Sequence, residues 1–279
     1  MSKLSPEELK FLGEAAKFLE NPGVFIRIAN KLGQPVEFLE KQLPDKARQI
    51  VTTTTRKSLE KALQLAVKTV ATGPTAMSFE ASQSSITLKN RLHILGSAIT
   101  GGIGGFFGMI SLPVELPITT TIMLRSIAET ARSSGSDLQS AETQIECLYV
   151  FTLGSPNKGA DNAETAYYTS RFGLAQVLSQ AASFIASHSA KQVLSAIEKG
   201  TAPVLVKLIS NIAAKFEIAV SEKLLSEAIP VIGAAGGALV NTAFTHYFSE
   251  AARFHFGIRK LERTYGADYV QKLYESMKT

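Results

Sequence analysis

The residues best placed to do chemistry are charges that interrupt apolar helical runs. Arg125 follows Ile122-Met123-Leu124 and shares a helix face with Glu129, while Glu146 sits within the run Ile145-Glu146-Cys147-Leu148-Tyr149-Val150. Arg171 follows the pair Tyr167-Tyr168, and Arg253 lies between Ala252 and Phe254, three residues after Glu250. A charge inside an apolar core must be paired, because an isolated one is very costly to bury. The pattern therefore predicts interior ion pairs in which Arg125 or Arg171 meets Glu129 or Glu146. Two uses fit such charges. They can be structural pairs that fix helix register, or they can form a polar site in which Arg125, Arg171 or Arg253 holds a lipid headgroup or a peptide carboxylate.

Metal and catalytic signatures are weak. His246 and Glu250 are four apart and can face one way on a helix, the least that half a metal site requires. No HExxH occurs, and His93, His188, His246 and His255 form no i,i+4 pair with one another, so no metal set is predicted and a satisfied buried histidine is the simpler expectation. The glycine cluster at 101–108 fails GxGxxG because Phe107 stands where the last glycine belongs; GxxxxGK[ST] and GxSxG are absent. SxxK occurs at Ser58/Lys61 and Ser155/Lys158, about as often as chance placement gives, with no KTG or SDN companion. No catalytic residue and no cofactor is predicted. Cys147, the one cysteine, lies in an apolar helical run where inert burial is expected, and its solitude excludes a disulfide framework and fits a reducing, cytoplasmic compartment. The opening MSKLSPEELKFLGEAAKFLE lacks the apolar core of a secretory signal.

The elements that must carry these residues are helical almost throughout. Ser5 followed by Pro6, Glu7 and Glu8 opens a first helix, because proline and acids suit the first turn, and Asn21-Pro22-Gly23 closes it. Two short helices are predicted over 24–43 and a longer amphipathic one over 45–70. Gly73-Pro74 and the Ser- and Ala-rich run to Ser85 read as a connection. It divides N-terminal helices, 1–73, from a helical domain, 74–279. Helices are then predicted near 88–110, 113–133, 136–152, 161–187, 190–199, 202–227, 229–255 and 266–277, with no alternating run for a strand. The predicted class is all-α, a single multi-helix bundle with two central glycine-rich apolar helices.

Those two helices carry the second set of candidate residues. His93–Val114 and Ala228–Ser249 each run 22 residues without Asp, Glu, Lys or Arg, and about 20 suffice to cross a bilayer core. Small-residue spacings at Gly101/Gly105, Gly104/Gly108 and Gly233/Gly237, with Gly236 beside the last, would let helix backbones approach closely. One reading makes them central helices of a bundle, crossing at their glycines. The other makes them a pair that enters or lies on a membrane, conditionally or shallowly, since Ser97, Thr100, Asn241, Thr242 and His246 dilute their hydropathy. The 29 basic residues against 24 acidic give a net charge of +5 but are scattered among acids. That excludes a nucleic-acid stripe while still favouring an anionic membrane surface.

Several stretches resemble the EcsC protein family. They are Leu112-Pro113-Val114 through Pro117 to Met123-Leu124-Arg125-Ser126-Ile127-Ala128, then Ser134–Leu138, Tyr167–Arg171, Ile229–Asn241 and Arg259-Lys260-Leu261. The resemblance covers roughly residues 45–264 and leaves 1–44 outside. It implies a bacterial, helical, membrane-associated protein, named after a component encoded beside an ABC transporter, and it supplies no catalytic residues. The function expected is thus that of a non-enzymatic protein at the cytoplasmic membrane face, acting through its glycine-rich helices. The alternatives are a soluble helical module that binds a protein or peptide partner and, third, a hydrolase without a recognisable motif.

Overall fold

The computed structural model describes residues 3–20, 45–68, 112–154, 166–227 and 233–277. Among them are nine α-helices, one 3-10 segment and no strand. In chain order the helices are α1 (Pro6–Leu19), α2 (Asp45–Lys68), α3 (Leu112–Ser133), α4 (Ala141–Tyr149, continued by a 3-10 segment, Val150–Gly154) and α5 (Ala166–Ser187). They continue with α6 (Ala190–Lys199), α7 (Pro203–Glu227), α8 (Gly233–Tyr265) and α9 (Ala267–Ser276). The all-α class expected from periodicity is the class observed. The expected helices at 24–43 and 88–110, and the connection at 71–85, lie outside the described residues.

Local chemistry explains most helix ends. The Ser5 hydroxyl accepts from the Glu8 amide at 3.2 Å while Glu8 Oε2 accepts from the Ser5 amide at 2.8 Å, so two otherwise orphaned donors are satisfied at the start of α1. Ser189 and Gln192 repeat the arrangement at α6, which ends on Gly200 with φ +63°, a left-handed position where glycine carries no Cβ penalty. Helix α4 starts at Ala141 instead of the expected 136. Asp137 Oδ1 accepts from the Gln139 amide at 2.9 Å, and this local turn competes with helical pairing.

Helix α8 runs to Tyr265, well beyond the end expected at 255. Gly257 does not terminate it. A Cβ placed there would come within 2.2 Å of the Phe11 ring, so the glycine marks a close approach of α1. Phe11 is held in turn by Phe254 at 5.5 Å between ring centroids, with the Arg253 guanidinium 5.7 Å above its face.

The main core lies between α2, α3, α4, α7 and α8. Helix α2 packs on α3 and α7, and α8 packs on α3, on the 3-10 segment and on α1. Leu59, Leu63, Ile127, Val150, Phe151, Phe216, Phe244 and Phe248 are fully buried there, and the four phenylalanines interlock at centroid distances of 4.9 to 6.0 Å. A second apolar cluster joins α1, α8 and α9 through Phe11, Leu12, Ile258, Val270 and Tyr274. Among the described residues one ion pair is enclosed on both sides: Lys223 Nζ of α7 donates to Glu115 Oε1 of α3 at 2.6 Å.

Because the Phe11 ring is wedged between α1 and α8, Gly257→Ala should overpack this contact and cost about 1–3 kcal/mol. Chemical denaturation should show the loss, and Phe11→Leu in the same chain should restore part of it.

Candidate functional site

Helices α4, α5 and α8 converge on a crevice of about 270 Å³. Its polar lining is Glu142, Glu146 and Tyr149 from α4, Arg171 and Ser179 from α5, and His255 and Arg259 from α8. Ile145, Ala175, Leu178 and Ala182 supply an apolar wall. On α8 the polar members stand four apart, on one helical face.

Glu262, one turn beyond Arg259 and 2% exposed, anchors the cluster. Arg171 Nη1 and Nη2 donate to its two carboxylate oxygens at 2.7 and 2.8 Å, a bidentate pair that ties α5 to α8. Arg259 Nη1 donates to Oε2 at 2.7 Å and the Tyr168 hydroxyl to Oε1 at 3.0 Å. The Arg259 Nε lies 2.8 Å from Glu146 Oε1, which brings α4 into the same network. Arg263 reaches back to the turn after α3, donating to the Ser134 carbonyl at 2.8 Å.

Burial and charge compete at each titratable group. For Glu262 burial opposes ionisation, but the hydrogen bonds and charge of Arg171, then of Arg259, outweigh it and hold the carboxyl below its ordinary range. At Glu146 burial wins over Arg259 and Arg171, and the pKa is raised. Burial pushes the Tyr149 hydroxyl up to about 12. The fully buried His255 ring is driven well below its ordinary value by burial and then by the positive charges of Arg171, Arg259 and Arg263, so it is neutral at pH 7. Its Nδ1 is hydrogen-bonded to the Tyr167 hydroxyl at 2.9 Å.

Of the residues singled out from the sequence, Arg171 and Glu146 come together here, yet neither takes the expected partner. Arg171 pairs with Glu262 and Glu146 with Arg259, because α8 carries both complementary charges. Arg125 is exposed on the outer face of α3, and no interior pair forms there with Glu129 or Glu146. Glu250 and Arg253 bond each other at 2.8 Å along α8, with Arg253 stacked 4.0 Å over Phe254. His246 is exposed on α8, one turn before Glu250. Among the described residues no group of three or more His, Cys, Asp and Glu could hold a metal ion. Cys147 is buried, and its thiol pKa is raised by burial. Gly233, Gly236 and Gly237 lie in the first turns of α8. Gly101, Gly104, Gly105 and Gly108, with the expected crossing, fall outside the described residues.

Sequence reasoning missed Glu262, the Tyr167–His255 bond and the Glu115–Lys223 pair. A signal did exist for the first: Arg259 and Glu262 are three apart in a run that also holds Leu261, the same interruption that marked Arg253.

Fold and site together define an all-helical bundle protein with a charged crevice between three of its helices. The chain belongs to the EcsC protein family, whose family model matches residues 15–261. That match takes in much of the 1–44 stretch left outside the resemblance drawn from the sequence. Comparison with curated proteins and with solved structures gave no match.

Glu262→Gln should destabilise the fold by about 3–5 kcal/mol, since it strips the charge from the partner of two largely buried arginines. A denaturation curve set against that of Arg171→Met/Glu262→Met should show the double variant as the less damaged. The pH response has a fixed sign. His255 is neutral when folded but titrates near 6.5 when unfolded, so stability should fall as pH drops below about 6.5. Glu262 adds to the loss below about 4.3, whereas Glu146, with its raised pKa, opposes it. Between pH 8 and 5 the denaturation midpoint of His255→Phe should therefore vary less than that of the parent chain.

Proposed function

We propose that this EcsC-family protein is a non-enzymatic helical protein that works at the cytoplasmic face of a membrane, associating with it through apolar helical surface and not through a span. The observation that carries the reading is the first turns of α3. Their acidic residue, Glu115, is turned inward onto Lys223, while Val114 is 68% and Ile118 43% exposed. These two are four apart and share a face, and they directly continue the uncharged stretch 93–114. Two turns beyond Ile118, on that face, stands the exposed Arg125. An apolar patch ending in a cation is the pattern of a helix seated at the headgroup boundary. Among the described residues no helix is long and apolar enough to cross a membrane, which accords with peripheral association. The buried single cysteine and the net charge of +5 accord with a reducing compartment and an anionic surface.

Sedimentation of the full chain with phosphatidylglycerol-containing liposomes tests the proposal. Partial retention is expected in 1 M salt, where the Debye length is about 3 Å and attraction through Lys and Arg alone has faded. Val114→Asp and Ile118→Asp, each checked for an unchanged helical spectrum, should lower retention at every salt concentration, and Arg125→Glu only at low salt. Absence of retention at low and high salt alike would favour the soluble partner-binding module.

A further inference from the structure

We infer that the crevice between α4, α5 and α8 is a binding site for a small oxyanion, a carboxylate or phosphate group carrying a short apolar substituent. Three buried polar atoms on its lining residues lack a hydrogen-bond partner: Nε of Arg259, which is still ion-paired with Glu146 at 2.8 Å, and, with no charged partner either, Nε2 of His255 and the hydroxyl of Tyr149, both on side chains about 1% exposed. Buried polar groups in native proteins are nearly always satisfied, and two orphans bordering one cavity call for a ligand or ordered water to complete them.

What they require can be worked out. His255 Nδ1 is bonded to the Tyr167 hydroxyl. Among the described residues that hydroxyl has no other acceptor, so it is assigned as donor to Nδ1, and the proton of the neutral ring to Nε2. The unpaired Nε2 is then a donor. The Tyr149 hydroxyl also has a proton to give, and the guanidiniums of Arg171 and Arg259 border the same space. A ligand that meets donors on several sides must be rich in acceptors.

The charge balance points the same way. Arg171, Arg259 and Arg263 face Glu146 and Glu262, which leaves one positive charge in the interior of the cluster, with the exposed Glu142 at its edge. Every charged group that acts appreciably on His255 is an arginine. A bound anion would lie in that positive potential.

The apolar lining sets the other half of the ligand. Ile145, Ala175, Leu178 and Ala182 offer no polar side chain. A volume of about 270 Å³ compares with roughly 30 Å³ for each liquid water. It accommodates a carboxylate with a chain of a few carbons, or a phosphate with a small ester group. The site draws on none of the α3 residues proposed to meet the membrane, so the two proposals stand or fall separately.

Calorimetric titration of the full chain with hexanoate, and separately with inorganic phosphate, tests the inference. Saturable binding of at least one probe is expected, weakened about tenfold or more by Tyr149→Phe, because a hydrogen bond to a charged ligand is lost. In a purely structural setting the same change leaves the affinity for either probe where it was, whatever the hydroxyl's weak contacts with Ser170 and Thr152 contribute to the thermal midpoint. His255→Phe supplies the second arm and should weaken binding similarly. Phosphatidic acid vesicles identify the source: if Tyr149→Phe also reduces vesicle binding, the oxyanion is a lipid headgroup, and if only the soluble probes respond it is a free small anion. No binding of either soluble probe or the vesicles, or binding undiminished in Tyr149→Phe and His255→Phe, would overturn the inference.

Discussion

Glu262 is a carboxylate where a carboxylate is costly, and what offsets that cost organises the helices around it. Two guanidiniums and a tyrosine hydroxyl converge on its two oxygens. The bidentate Arg171 contact fixes α5 in both translation and rotation against α8, since a planar fork on a planar acceptor tolerates little displacement. Arg259 then relays the constraint to α4 through Glu146. Three helices are registered by one side chain, and the crevice between them is a consequence of that registration.

This arrangement depends on α8 continuing past Gly257. Were the helix to end near 255, Arg259, Glu262 and Arg263 would have no rigid element to place them. The glycine lets α1 approach closely enough for Phe11 to seat, while α8 remains straight enough to present His255, Arg259 and Glu262 on one side. A backbone contact on one flank thus serves polar chemistry on the other.

The bundle holds a second polar centre, the Glu115–Lys223 pair, with a different consequence. A buried ion pair is weak evidence for stability, because desolvation consumes much of the attraction. What this pair does is orient α3. By drawing the one acid of the first turns inward, it leaves Val114 and Ile118 as the outward face. The electrostatics of the interior therefore decide the character of the surface.

The amino-acid sequence by itself determined whatever depends on neighbours in the chain. The all-α class followed from 3.6-residue periodicity, the start of α1 from Ser5, Pro6 and Glu8, the burial of Cys147 from its apolar run, and the family from short blocks such as Tyr167–Arg171. It also told that charges such as Arg171 and Glu146 sat where apolar residues belong. Only the tertiary structure decided which charges meet, because Arg171 and Glu262 are 91 positions apart and a pairing over that separation is set by helix packing. For the same reason Arg125, flanked by Leu124 and Ser126 like any core interruption, proved to be on the exposed face of α3, and Gly257, which reads locally as a helix breaker, proved to be a contact. Periodicity fixes the angle of each side chain about its own helix axis. What stands at that angle is decided by the packing of all the helices at once.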